Sequence, residues 1–157
     1  MKLQEIIRSN MKFAGIASAI FLLDKGIKDY AEAEEALAVP KPALGGRLVL
    51  QRYHNRGAFL NLGEKRSALM RALSLGLTAV VLVCFVCTLG QRGRGLLKTG
   101  LALLLGGAFS NSYDRLYRSY VVDYASLRTG IRALDRVVFN LADLCIMIGA
   151  LCTALSG

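Results

Sequence analysis

Two aspartates, Asp123 and Asp143, lie twenty residues apart, and the apolar run CIMIGALCTAL follows almost directly after the second. Two carboxyl groups held close together cannot both ionise, so one stays protonated while the other acts as a base. Such a pair activates water without a metal ion, and the single His and the absence of an HExxH motif disfavour metal-dependent and triad hydrolysis. Structural salt bridges are the alternative, since Arg128, Arg132 and Arg136 lie nearby in the sequence.

Other polar residues lie in or beside apolar segments, where ionisable side chains are costly and usually have a function or a partner. Spacings of three or four residues put both side chains on one helix face for Asp24 with Lys28, Asn111 with Asp114 and Arg115, and Asn140 with Asp143. Two interpretations stay open for Asp24 and Lys28, a simple ion pair within a helix or part of a site. Asp114 and Arg115 are predicted to take part in a structural network. His54 is predicted to be a solvated loop residue.

The composition indicates a membrane protein, because 54% of the 157 residues are hydrophobic and the mean hydropathy is +0.44. The formal net charge of +9 favours contact with anionic lipid headgroups. Nucleic acid is not expected as a partner, since the basic residues are scattered and not gathered into a stripe with aromatic residues. The four cysteines lie in apolar runs and are predicted to be small buried hydrophobic residues: Cys84, Cys87, Cys145 and Cys152.

Four segments approach the length of about 20 apolar residues that a membrane-spanning helix needs. They are residues 11–27, 68–89, 95–112 and 137–155. The sequence therefore predicts an all-α membrane protein with four transmembrane helices in a single domain, residues 1–157. Between Gly46 and Gly57, β-branched and aromatic residues predict a strand or two in a small extracytoplasmic subdomain.

Positive charge near the apolar segments predicts their orientation in the membrane. Basic residues lie before or at the start of the first segment, and between the second and third segments or at the start of the third: Lys2, Arg8, Lys12, Arg92, Arg94 and Lys98. Both termini are therefore expected in the cytoplasm. The connections after the first and third apolar segments, which then lie outside, also carry basic residues, but they are long enough to be folded structure. In this orientation the polar clusters converge at the extracytoplasmic face.

Five motifs, in order along nearly the whole chain, resemble the lipoprotein signal peptidase (signal peptidase II) family of bacterial aspartic membrane proteases. They are DxxxK from Asp24, NxGA from Asn55, GGAxxNxxDR from Gly106, VVDY from Val121 and FNxAD from Phe139. The resemblance implies that Asp123 and Asp143 are the catalytic dyad. It implies that the residues binding substrate or supporting the dyad are Asp24, Lys28, Asn55, Gly57, Asn111, Asp114, Arg115 and Asn140.

The resemblance also implies the reaction, the removal of signal peptides from diacylglyceryl-modified prolipoproteins on the amino side of the lipidated Cys. We expect a monomer in the bacterial inner membrane, with membrane lipids as partners and without a cofactor or metal ion. Ser110, where the family commonly has Gly, the shifted aromatic at Phe59, and Val137 with Val138 in place of an aromatic-Pro pair depart from the family pattern. Two alternative functions are an ion or proton relay and a non-catalytic lipoprotein-binding module.

Overall fold

The computed structural model describes residues 3–57 and 67–157, which form a helical structure with one small antiparallel sheet. Its helices are α1 (Leu3–Ala33), α2 (Ser67–Thr88), α3 (Gly95–Tyr117), α4 (Arg132–Asp135) and α5 (Leu141–Ala154). Short 3-10 turns cover Glu35–Ala38 and Leu44–Gly46, and the strands are β1 (Lys41–Ala43), β2 (Leu48–Asn55), β3 (Val121–Leu127) and β4 (Val138–Phe139). The NxGA motif's Ala58 and the departure at Phe59 lie outside the described residues.

Helix α3 lies at the centre of the helical layer and packs against α1, α2 and α5. Glycines allow the close approach: a Cβ on Gly106 would lie 2.6 Å from the carbonyl oxygen of Ala17 in α1. A Cβ on Gly107 would lie 2.5 Å from the carbonyl oxygen of Ala142 in α5. Because backbone cannot yield like a flexible side chain, these two contacts require glycine, and Gly107 brings α3 against the start of α5.

Within the described part of the chain, one helix, Ala68–Thr88, is by itself long and apolar enough to cross a membrane. Only 11% of its apolar window is buried in the protein, and the apolar helix Leu141–Ala154 is shorter. Helices α1 and α3 are long enough, but they carry polar residues that are buried against each other: Asp24, Lys28, Asn111 and Asp114. The four predicted crossings thus remain a prediction.

The four strands pair in the order β1-β2-β3-β4, with antiparallel neighbours throughout. Strand β2 confirms the strand predicted between Gly46 and Gly57. Asp123 lies on strand β3, which was not predicted: α3 ends at Tyr117, and Asp123 is paired with Tyr53 of β2. The last helix begins at Leu141 and not near residue 137, because the residues before it pair with β3 as β4.

Two further predictions need correction. His54 lies on β2 and not in a loop: its ring stacks on Tyr120 with centroids 4.1 Å apart, and its Nε2 lies 2.7 Å from Glu32 Oε1. Cys84 and Cys87 are exposed, because they lie on the side of α2 that faces away from the protein. In a membrane that side would contact lipid, which suits a small hydrophobic residue as well as a protein core does.

Candidate active site

Asp123 and Asp143 line one cavity of about 620 Å³, although they come from different elements. Asp123 lies on β3 and is 1% exposed, while Asp143 lies in the first turn of α5 and is partly buried. The cavity brings together most of the polar residues predicted for the site, namely Asn55, Asn111, Arg115, Asp123 and Asp143. The two carboxyl groups therefore face the same space, as paired acid and base groups must.

Asn140 connects the two carboxyl groups through the cap of α5. Its Nδ2 donates to Asp123 Oδ1 at 2.7 Å, and its Oδ1 accepts from the backbone N–H of Asp143 at 2.9 Å. In return, Asp143 Oδ2 accepts from the backbone N–H of Asn140 at 3.2 Å, which completes a capping box. The same contacts that begin the helix thus fix Asp143 relative to Asp123.

Each carboxyl group also accepts a hydrogen bond from a second asparagine. Asn55 Nδ2 donates to Asp123 Oδ2 at 3.0 Å, and Asn111 Nδ2 donates to Asp143 Oδ1 at 2.9 Å. The opposite end of each amide is occupied, since Asn55 Oδ1 accepts from the backbone N–H of Gly57 at 3.2 Å. Both asparagines therefore present their NH₂ groups to the dyad.

A buried ionic cluster around Lys28 lies next to the dyad and is connected to it through Asn111. Lys28 Nζ lies 2.8 Å from Asp24 Oδ2 and 3.2 Å from Asp114 Oδ2, with all three side chains almost fully buried. It also donates to Asn111 Oδ1 at 2.8 Å, which holds the amide that contacts Asp143. Asp24 and Lys28 therefore form an ion pair within α1, and Lys28 also contacts the Asn111 side chain that contacts Asp143. A buried ammonium group needs several such partners.

Asp114 joins the helical layer to the sheet, and Arg115 lies beside the dyad. Asp114 Oδ2 accepts from the backbone N–H of Val122 at 3.1 Å, one residue before Asp123. Arg115 Nη2 donates to the backbone carbonyl of Gly57 at 3.0 Å, and its side chain lines the cavity. Asp114 thus belongs to the structural network predicted for it, while Arg115 also adds positive charge beside the carboxyl groups.

Sequence reasoning missed two residues that contact Asp24. Ser110 Oγ donates to Asp24 Oδ2 at 2.5 Å and accepts from Lys28 Nζ at 3.1 Å. Tyr124 donates its hydroxyl hydrogen to Asp24 Oδ1 at 3.0 Å. Ser110 departs from the family pattern and Tyr124 lies within the VVDY motif, so both positions were marked in the sequence without a role being assigned.

The environment of Asp123 favours its protonated form. Burial raises the pKa of the Asp123 carboxyl to about 7, and the negative charge of Asp143 acts in the same direction. The hydrogen bonds from Asn55 and Asn140 and the charge of Lys28 oppose this shift without cancelling it. Asp143 lies in the first helical turn, where the helix dipole favours negative charge. The pair can therefore hold one proton near neutral pH.

The remaining wall of the cavity is mostly apolar, apart from Thr129 and Arg136, and it continues to the outer face of α5. Its apolar residues are Val121, Leu127, Leu134, Val137, Val138, Phe139, Leu144, Ile146 and Met147. Leu144 and Met147 are 42% and 67% exposed, so this wall is continuous with the exposed side of the helix. Among the described residues no group of three or more His, Cys, Asp or Glu side chains is arranged to hold a metal ion. The site thus combines two neighbouring carboxyl groups with a largely apolar cavity wall.

Residues 16–157 match the family model described as signal peptidase (SPase) II. The chain belongs to the signal peptidase II family. This confirms the resemblance inferred from the five motifs, and it identifies the chain as a signal peptidase, a hydrolase of peptide bonds from a bacterial membrane family. The Asn55, Asn111, Asp114, Asp123 and Asp143 motifs all lie within the matched range.

Curated relatives named lipoprotein signal peptidase cover most of the chain. The protein from Lactobacillus johnsonii is 29% identical over 134 residues, which cover 85% of this chain and 83% of the relative. The protein from Moorella thermoacetica is 34% identical over 110 residues, covering 70% and 68%. The protein from Nitratidesulfovibrio vulgaris is 33% identical over 142 residues, covering 87% and 82%.

Two solved structures, described as bacterial membrane enzymes determined by the in meso method, have the same fold. Their TM-scores to this chain are 0.78 and 0.74, with sequence identities of 18% and 20%. Each comparison covers 92% of this chain, and 86% and 91% of the two solved chains. The likeness extends over nearly all of both chains, so the helices and the small sheet together form the common fold.

Proposed function

We propose that this signal peptidase is an aspartic endopeptidase that cuts diacylglyceryl-modified prolipoproteins on the amino side of the lipidated Cys. The observation that carries the proposal is the pairing of Asp123 and Asp143 in one cavity, bridged by Asn140. The apolar wall beside the pair supports a substrate that brings both a signal peptide and acyl chains. An ion relay is less well supported, because its charged groups would be spread through the depth of the bilayer.

In the proposed reaction the two carboxyl groups divide the proton transfers. Asp143 takes a proton from a water molecule while the water oxygen attacks the scissile carbonyl carbon, and Asp123 donates its proton to the carbonyl oxygen. The tetrahedral diol then collapses: Asp143 gives its proton to the leaving nitrogen, the C–N bond breaks, and Asp123 regains a proton from the diol. Arg115, which lines the cavity, would stabilise negative charge on the carbonyl oxygen as it develops.

The proposed acid role of Asp123 predicts a pH dependence. Because the pKa of its carboxyl is raised to about 7, the group is protonated below that pH and loses its proton as the pH rises through it. We therefore expect kcat/KM for prolipoprotein cleavage to fall about tenfold per pH unit above neutrality. The measurement is cleavage from pH 5 to 9 in one detergent. A rate that stays constant up to pH 9 would rule out Asp123 as the acid.

The cleavage reaction itself is tested by incubating the purified protein with a diacylated prolipoprotein and identifying the products by mass spectrometry. The expected mass is that of a mature lipoprotein beginning with the lipidated Cys. Proton or ion flux measured in vesicles that contain the same protein separates the alternative relay function. Flux without cleavage would replace the peptidase proposal, and binding without either would support a non-catalytic lipoprotein-binding module.

We further propose that α1, α2, α3 and α5 each cross the membrane, with both chain termini in the cytoplasm and the sheet outside. Supporting this, the buried polar residues of α1 and α3 contact each other, so they need not face lipid. The short turn between α2 and α3 carries Arg92 and Arg94, which favours the cytoplasmic side. The dyad then lies at the extracytoplasmic face.

Thiol labelling of intact cells tests this orientation. In a variant without the four native cysteines, Val39→Cys and Arg128→Cys are expected to react with a membrane-impermeant reagent, because both positions are exposed on the proposed outer side. Arg94→Cys is the matched inner position and is expected to react only after the cells are lysed. Labelling of position 94 in intact cells would invert the proposed orientation.

A further inference from the structure

We propose that Tyr124 is a positioning residue that sets the orientation of Asp143 relative to Asp123 by holding the first turn of α5. Its hydroxyl oxygen accepts a hydrogen bond from the backbone N–H of Leu141 at 2.8 Å. Its hydroxyl hydrogen is donated to Asp24 Oδ1 at 3.0 Å. Tyr124 contacts neither carboxyl group of the dyad, and the inference rests on the proposed catalytic role of that dyad.

The strand geometry explains why adjacent residues serve the site from two sides. Successive side chains on a strand point to opposite faces, so Asp123 faces the cavity while Tyr124 faces α1 and the start of α5. A change in the position of β3 therefore moves Asp123 and the Tyr124 hydroxyl together. The position of Asp123, and through Leu141 that of Asp143, therefore both depend on strand β3.

The bond to Leu141 acts in the first turn of α5. The first four N–H groups of a helix have no acceptor within the helix. Asn140 satisfies the N–H of Asp143, and Tyr124 satisfies that of Leu141. Leu141 lies between Asn140, which donates to Asp123, and Asp143 itself, so the Tyr124 hydroxyl holds the backbone segment on which the pair's geometry depends.

The direction of the hydrogen bonds is fixed by Asp24. An ionised carboxylate only accepts, and Asp24 is fully buried against Lys28 and Ser110. The hydroxyl hydrogen of Tyr124 must therefore point to Asp24, which leaves an oxygen lone pair for Leu141. Burial, followed by the charge of Asp24, raises the pKa of Tyr124, so the hydroxyl keeps its hydrogen at any working pH. The Tyr124 hydroxyl therefore makes both hydrogen bonds over the whole working pH range.

Tyr124→Phe removes this hydroxyl and keeps the ring. We expect kcat for diacylated prolipoprotein to fall about tenfold with KM within twofold, because a small misplacement of a reacting group is costly. As Asp143 moves away, its charge acts less on Asp123, and the alkaline limb of the pH profile shifts to lower pH. The other charged groups that act on Asp123 or line the same cavity, Arg115, Lys28 and Arg136, are unchanged. Tyr117→Phe, at an exposed tyrosine of α3, is the matched control.

Hydrogen exchange at the Leu141 amide is the second measurement, and it does not depend on activity. In the wild-type protein this amide is expected to be protected, and in Tyr124→Phe to exchange at least ~10-fold faster, while amides in the middle of α5 stay unchanged. If the variant does not fold, an unprotected Leu141 amide in the wild-type protein would still overturn the inference.

The outcomes separate this inference from the proposed function. If Asp143→Asn is inactive while Tyr124→Phe keeps the wild-type kcat and pH profile, Tyr124 is not a positioning residue and the dyad stands. If Asp143→Asn remains active, the proposed dyad is wrong whatever Tyr124 does. A Tyr124→Phe variant with lower thermal stability but unchanged kcat and pH profile would reduce Tyr124 to a packing role.

Discussion

Cleavage of a diacylated prolipoprotein is expected to fall at least ~1,000-fold in Asp123→Asn and in Asp143→Asn, because each variant loses one of the two groups that transfer protons in the proposed reaction. The amide has nearly the shape of the carboxyl group but cannot exchange a proton. The two losses should not add in the double variant, since a dyad that lacks one member cannot use the other. Initial rates with purified enzyme and equal substrate concentrations measure the effect.

The hydrogen bonds around the dyad decide which control is needed. In Asp123→Asn the new NH₂ group must face an NH₂ donor, either Asn55 or Asn140, so part of the loss could come from local distortion. Thermal unfolding of each variant measures this separately. Asp29→Asn is the control for the loss of a carboxylate elsewhere in the fold, because Asp29 lies on α1 outside the cavity and pairs with Lys25 and Arg118. Its activity should stay within about threefold of wild type. Substantial cleavage by either dyad variant would remove that residue from the proposed mechanism.

The lipid on the substrate is expected to contribute nearly as strongly as the chemistry. The unlipidated precursor should be cut at least ~100-fold less efficiently, which corresponds to about 2.7 kcal/mol of transition-state stabilisation. The reason is that each buried methylene contributes about 0.8 kcal/mol and that the apolar wall of the cavity continues onto the exposed side of α5. Comparing kcat/KM of the two precursors in the same detergent tests this.

Helix α5 provides a matched pair of variants for the same question. Met147 lines the cavity, whereas Leu151, one turn further along, is exposed but does not line it. Met147→Gln is expected to lower kcat/KM for the lipidated precursor more than for the unlipidated one, and Leu151→Gln to change neither. Equal rates for both precursors in the wild-type protein would show that peptide sequence alone sets recognition.

The local sequence was sufficient for those parts of the molecule that depend on residue type and order. The paired aspartates, the apolar segments and the helical spacing of Asn140 with Asp143 are all visible without a structure. The capping box confirms the predicted helical relation of Asn140 with Asp143. The five motifs together were sufficient to indicate the family, because their order is preserved along nearly the whole chain.

Strand β3 was not predicted, and it changes the description of the site. Its residues VVDYASL, which contain Asp123, begin shortly after α3 ends at Tyr117 and lie beyond the third apolar segment predicted at residues 95–112. The strand forms because β2 pairs with it from more than sixty residues away, with Asn55 opposite Val121. Such pairing depends on register between distant segments, which local propensity does not encode.

The sequence by itself determined which chemical groups are present, that most of the chain is apolar, and which family it belongs to. Only the tertiary structure decided that Asn140 bridges the two carboxyl groups, that Lys28 holds Asn111 against Asp143, and that Tyr124 joins Asp24 to the start of α5. The physical reason is distance along the chain. Helical and strand periodicities relate residues a few positions apart, whereas these contacts join α1, α3, β3 and α5 and form only when the glycines of α3 let the helices approach.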